Sequence, residues 1–164
     1  MSEIETIKLK TKDGKIIEIA KKVAELSEFL KSSISNLEKD SPIELTEVDE
    51  VNCEKIKEYL THFNGVAPKE IEKPLTSNEM KNVTDEWSAN FIEKMTVDEV
   101  VNLTAAANYM EISCLLDLCC AKLASLCKDK SEKDIFKAFN VTEPISDEEK
   151  KKIFEENRWI DENI

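Results

Sequence analysis

The sequence predicts an α+β domain with a small three-stranded sheet, followed by a helical extension. Three observations carry that prediction. Two short β-branched runs flank an Asp13-Gly14 pair near the amino terminus, a third alternating run follows Pro42, and helical spacing dominates everything beyond Val83.

Thr6 to Leu9 and Ile16 to Ile19 alternate or cluster β-branched residues around "KTKDGK", a pattern suited to a hairpin. Val23, Leu26, Phe29, Leu30, Ile34 and Leu37 then recur at helical intervals, with Ser27 placed to interrupt the run and cap a second helix. In "SPIELTEV", Ile43, Leu45 and Val48 fit a third short strand. "CEKIKEYLTHF" returns to helix with Ile56, Tyr59, Leu60 and Phe63 on one face, and Gly65 stands where it should stop. The stretch from Val66 to Val83, with two prolines and mixed charge, predicts a long surface connection.

Beyond it, Thr96 with Glu99 and Ser146 with Glu149 form capping boxes, and Ser131 with Asp134 a weaker version. Between Val97 and Cys127 the chain is unusually apolar. Ile112, Leu115, Leu116, Cys119, Cys120, Leu123, Leu126 and Cys127 read as one stripe, with Leu118 off it. The remaining tail offers a second apolar supply, including Phe136, Phe154 and Ile160, separated by charged intervals such as "SDEEKKK". Ordering a residue costs about 1 to 2 kcal/mol of backbone entropy, so so short a tail needs something to pack against.

Composition narrows function by exclusion. The chain has 164 residues, 41% hydrophobic, with 35 acidic against 23 basic side chains and a net charge of -12, which repels nucleic acid and anionic membranes. No apolar run reaches the roughly 18 residues of a membrane span, and the amino terminus is polar, so a soluble intracellular protein is expected. Five cysteines, an odd number concentrated in one helical region, suit a reducing compartment. The acceptor patterns at Asn82, Asn102 and Asn140 read as chance matches in that setting.

No catalytic or metal-binding residue and no cofactor is predicted. The single histidine, His62, has no companion nearby in sequence and reads as a partly exposed structural residue. The cysteines form no C-x-x-C pair, and two glycines, Gly14 and Gly65, cannot build a phosphate cradle. The carboxylates are spread along amphipathic helices as solvated faces, which leaves a carboxylate enzyme as the weakest alternative.

The residues "AANYMEISCLLDLCC", "DIFKAFNV" and the ending "EENRWIDEN", preceded by the hairpin "IKLKTKDGKIIEI", resemble the Skp1 family of ubiquitin-ligase adaptors from Ile4 to Asn163. Elongin C shares the BTB/POZ-like body but stops near the place of Cys127. The resemblance implies a BTB/POZ-like domain over residues 1–127 and two carboxyl-terminal helices over 128–164. It further implies an adaptor that performs no bond chemistry and bridges a cullin scaffold to the F-box of a substrate receptor.

Asn108 and Tyr109 match the family's cullin-facing corner. Val101, Leu116, Cys120 and Leu123, with Ile135, Phe139, Val141, Ile145 and Trp159 of the tail, match the positions that clasp the F-box. A homodimer of the free protein is a further possibility that the resemblance leaves open, and a self-associating BTB scaffold outside ubiquitin ligases is the alternative function. The chain departs from the family pattern in the short "SNLEKDSP" connection, in Val101 where a larger aromatic is common, and in Glu111 for aspartate. Asp147 stands where some protist relatives carry a hydroxylatable proline, so that modification is not predicted.

Overall fold

Alternation dictates the first element. In β1 (Thr6–Lys10) Ile7 and Leu9 are buried, and in β2 (Ile16–Ala20) Ile17 and Ile19 are, while their neighbours face water. The structure, a computed structural model, describes residues 5–36, 41–142 and 145–159. β1 and β2 pair antiparallel with Leu9 opposite Ile17. Gly14 takes a left-handed φ of 83° in the turn, and Thr11 closes the loop by exchanging backbone bonds with Gly14 and Lys15. β3 (Ile43–Glu44) lies parallel to β1 on its other side, giving the order β2-β1-β3. It is two residues long, so Leu45 and Val48, expected on the strand, are buried just beyond it.

The run after the hairpin divides at Ser27 as expected, but its first half is a 3-10 helix (Lys21–Leu26) and only the second half is α1 (Glu28–Ser35). Leu37, expected on the same face, lies outside the described residues. Asp49 caps α2 (Glu50–Phe63) by accepting from the Asn52 amide at 2.8 Å. The left-handed residue that ends α2 is Asn64, with Gly65 following at φ 83°. A Cβ at Gly65 would stand 2.7 Å from the Lys22 carbonyl oxygen, so backbone proximity, beyond helix termination, requires glycine there.

The connection after α2 is more than surface. Met80, on a 3-10 turn (Met80–Asn82), is fully buried, and Ile71, Leu75 and Val83 pack against the core, so the segment is strapped down by apolar anchors that its prolines and charges disguise. Helices α3 (Glu86–Glu93), α4 (Val97–Tyr109) and α5 (Ser113–Cys127) follow. Thr96 and Glu99 make the expected capping box.

The chain divides into two compact units, residues 1–129 and 130–164. The first holds the core, in which Leu9, Leu30, Ile56, Leu60, Leu103 and Leu115 are almost completely buried. The second contains α6 (Glu132–Ala138) and α7 (Asp147–Glu156), capped by Ser131 and Ser146, and neither helix buries a single side chain.

Candidate protein-interaction surfaces

α5 is apolar on two faces. At about 100° per residue, Leu115, Leu118, Cys119 and Ser125 share one face, and these are buried. Leu116, Cys120, Leu123 and Cys127 fall on a face roughly half a turn away, with Cys120 exposed and the other three half-buried. Leu118, which the sequence pattern places off the stripe, is thus 1% exposed and inside the core, and the single stripe is in fact two. The cause is geometric: apolar residues three and four apart occur on both faces, as in Leu115 with Leu118 and Cys119 and in Leu116 with Cys120 and Leu123, so spacing alone cannot say which faces inward. On α4, Val100, Leu103, Ala106 and Ala107 are buried while Val101 is 45% exposed.

The corner between α4 and α5 is built from inside the molecule. Met110 and Ile112 are fully buried, and Glu111 between them takes a left-handed φ of 52° to make the bend. Ser27 locks it: its hydroxyl accepts from the Leu30 amide, capping α1, and donates to the Met110 carbonyl 83 residues away. The Glu28 amide adds a bond to the Glu111 carbonyl at 3.3 Å. Asn108 is exposed on this frame, whereas Tyr109 is half-buried with its ring tilted against Phe29 at 5.2 Å. The Tyr109 hydroxyl accepts from the Thr46 amide at 3.3 Å and meets the Thr46 hydroxyl at 3.2 Å. One face of the ring is therefore already occupied. Sequence reasoning missed Phe29 and Thr46, because neither carries a local signal of a contact so distant along the chain.

Burial favours the protonated form of three thiols: it pushes Cys53 and Cys119 up to about 12 and raises Cys114. All five cysteines are free. His62 is exposed and stacks flat on Trp87 at 3.8 Å, a packing role as expected. Among the described residues no cluster of histidine, cysteine and carboxylate could hold a metal ion, and no helix is long and apolar enough to cross a membrane.

In the second unit Ile135, Phe139 and Ile145 are half-buried. Val141 is 45% exposed, Ile153 49%, Phe154 62% and Trp159 63%, an unusual density of large apolar groups in water for so few residues. Of the tail's apolar set, Ile160 lies outside the described residues.

The comparisons with known proteins bear on both units. Residues 5–65 match a model described as the tetramerisation domain of the Skp1 family, and residues 113–160 match that family's dimerisation domain. The chain is 36% identical over 156 residues to the S-phase kinase-associated protein 1 homolog of Tetrahymena thermophila, covering 95% of this chain and 94% of that protein. It is 33% identical over 159 residues to the E3 ubiquitin ligase complex SCF subunit sconC of Arthroderma benhamiae, with 95% of each covered. Against the sconC subunit of Aspergillus fumigatus the identity is 33% over 160 residues, covering 96% and 99%.

Proposed function

The chain belongs to the Skp1 family, and from that premise we propose that it is the adaptor subunit of an SCF-type E3 ubiquitin ligase, joining a cullin scaffold to F-box substrate receptors in ubiquitin-dependent protein degradation. The observation that carries this reading is the double-faced α5. Leu115 and Leu118 fill the core, while on the other face Cys120 is exposed and Leu116 and Leu123, packed against the core on one side, keep part of their surface in water. A helix that is apolar beyond what its own fold covers is suited to receive another protein's helices.

The same logic applies to the tail, where Ile135, Phe139, Val141, Ile145 and Trp159 supply a second set of apolar groups for the receptor. Burying one such side chain is worth about 1.5 to 3 kcal/mol, so a few can dominate affinity. The cullin is read by the α4–α5 corner, with the exposed Asn108 amide as a polar contact and the free edge of Tyr109 beside it. The protein works in the cytoplasm and nucleus, performs no bond chemistry itself, and acts by holding two partners at fixed separation.

The test is a pull-down with an F-box peptide and with a cullin amino-terminal domain. Trp159→Ala with Phe139→Ala should lose the F-box, and Asn108→Lys with Tyr109→Lys should lose the cullin, each pair sparing the other partner. Retention of both partners by both double variants would remove this assignment. A homodimer that survives an excess of F-box protein would instead favour a self-associating scaffold.

A further inference from the structure

Thr46 sits exposed in the bend between β3 and α2, and its side chain is the one that meets the Tyr109 hydroxyl. It also lines a shallow cleft of about 220 Å³ together with Lys10 and Lys12. Both lysines are committed to surface carboxylates, Lys10 to Glu44 at 2.9 Å and Lys12 to Asp49 at 3.6 Å. The Thr46 hydroxyl thus meets a phenol and opens on a cleft whose lining holds two lysines and the Glu44 carboxylate.

The local sequence supplies a reason for that hydroxyl to change. Thr46 is followed by Glu47, Asp49 and Glu50, and an acidic residue three places after an acceptor hydroxyl is what a kinase with a basic substrate cleft selects by charge. Ser2, Ser35, Ser41, Thr76, Thr96, Ser131 and Ser146 have the same spacing, but the hydroxyls of Thr96, Ser131 and Ser146 each accept a helix amide as an N-cap, Ser2 lies outside the described residues, and Ser35, Ser41 and Thr76 lack acidic residues at the places that Glu47 and Glu50 hold after Thr46. Thr46 caps nothing, because Asp49 performs that role for α2.

We propose that Thr46 is the site at which an acid-directed protein kinase phosphorylates this chain, and that the phosphate switches off the cullin-facing corner. The consequence for cullin rests on the adaptor reading above. In the transfer, Thr46 Oγ1 attacks the terminal phosphorus of ATP and an O–P bond forms. The P–O bond to the ADP leaving group breaks, and the hydroxyl proton passes to the kinase's base. The new group carries a charge of about -1.5 to -2. Lys10 and Lys12 pair with it, which draws the side chain away from Tyr109 and removes the hydroxyl contact that helps to hold the phenol. It also places a strongly hydrated dianion at the edge of the corner, next to Glu47, where a docking partner would have to desolvate it.

The experiment incubates the full chain with a recombinant casein-type acid-directed kinase and ATP with magnesium, and maps the phosphate by peptide mass spectrometry. It then measures affinity for a cullin amino-terminal domain and for an F-box peptide by calorimetry. Phosphate is expected on Thr46 and absent from that place in Thr46→Val, with cullin affinity lowered about tenfold or more and F-box affinity unchanged. Lys10→Gln with Lys12→Gln should accept the phosphate and lose less cullin affinity. Absence of phosphate at Thr46 overturns the site, and phosphate with unchanged cullin affinity overturns the switch. If the unmodified chain binds no cullin, the adaptor reading falls and takes the switch with it, while the phosphate map still decides the site.

Discussion

The two units of this chain use their apolar side chains in opposite ways. In residues 1–129 the large aliphatics vanish from solvent, with Leu30, Leu60, Leu103 and Leu115 all at 0% exposure. In residues 130–164 no described helix buries one, and Phe154 and Trp159 keep more than half of their surface in water. The difference teaches where order comes from. The body folds on its own hydrophobic burial. The helices α6 and α7, seven and ten residues long, fall below the roughly 12 to 15 residues at which an isolated helix is even marginal. Caps at Ser131 and Ser146 add about 1 kcal/mol each, which selects where these helices begin without making them stable alone. The tail should therefore show little amide-exchange protection in the free chain and gain it when an F-box binds.

The largest effect should come from a cavity in the body. Leu103→Ala is expected to cost about 2 to 5 kcal/mol in urea unfolding, whereas Phe154→Ala should stay within about 0.5 kcal/mol. Equal losses for the two would erase the contrast between the units.

Next come the two faces of α5, within one helix. Leu116→Ala with Leu123→Ala should weaken F-box binding by about 1.5 to 3 kcal/mol, or roughly ten- to a hundredfold, measured by calorimetry. The unfolding midpoint should move much less than it does for Leu115→Ala, since Leu116 and Leu123 are only half-buried. If stability falls as far as binding does, the outward face is core after all.

How much of this was legible in the sequence depends on whether the deciding contact is local. The hairpin around Gly14, the capping boxes at Thr96 and Ser146, and the division at Ser27 are all local chemistry and appear where the pattern puts them. β3 shrank to two residues because its parallel pairing with β1 is set by tertiary register. The burial of Met80 and the inward turn of Leu118 were hidden for the same reason: each depends on which surface the rest of the chain brings up. The corner shows this most clearly. Family resemblance points to Asn108 and Tyr109, but the Phe29 ring and the Thr46 hydroxyl that hold Tyr109 come from distant segments.

A smaller effect separates two serine caps that look alike in sequence. Ser27→Ala removes the α1 cap and also leaves the buried Met110 carbonyl without the hydroxyl that serves it, for a cost of about 1 to 3 kcal/mol. Ser131→Ala removes only a surface cap of α6, and the body's unfolding curve should not register it. Matching losses would mean that the corner is held by something other than Ser27.

The smallest effect is a pH dependence that distinguishes the two capping boxes. Glu149 is lowered by its bonds to Ser146 alone, whereas Glu99 also accepts from the Lys55 ammonium at 2.8 Å and is held down to about 2 from its ordinary 4.5. A carboxyl whose folded value lies below its unfolded one binds fewer protons when folded. Its contribution is complete above pH 4.5 and disappears as the pH falls toward 2. Glu99→Gln should flatten the loss of body stability across that window, and Glu149→Gln should leave the body's acid limb unchanged. The Glu99 side chain is 43% exposed, so the difference should shrink in high salt, as screening demands of a surface pair. An acid limb for Glu99→Gln that overlays the unmutated chain at low salt would show that Lys55 adds nothing to the motif the tail already has.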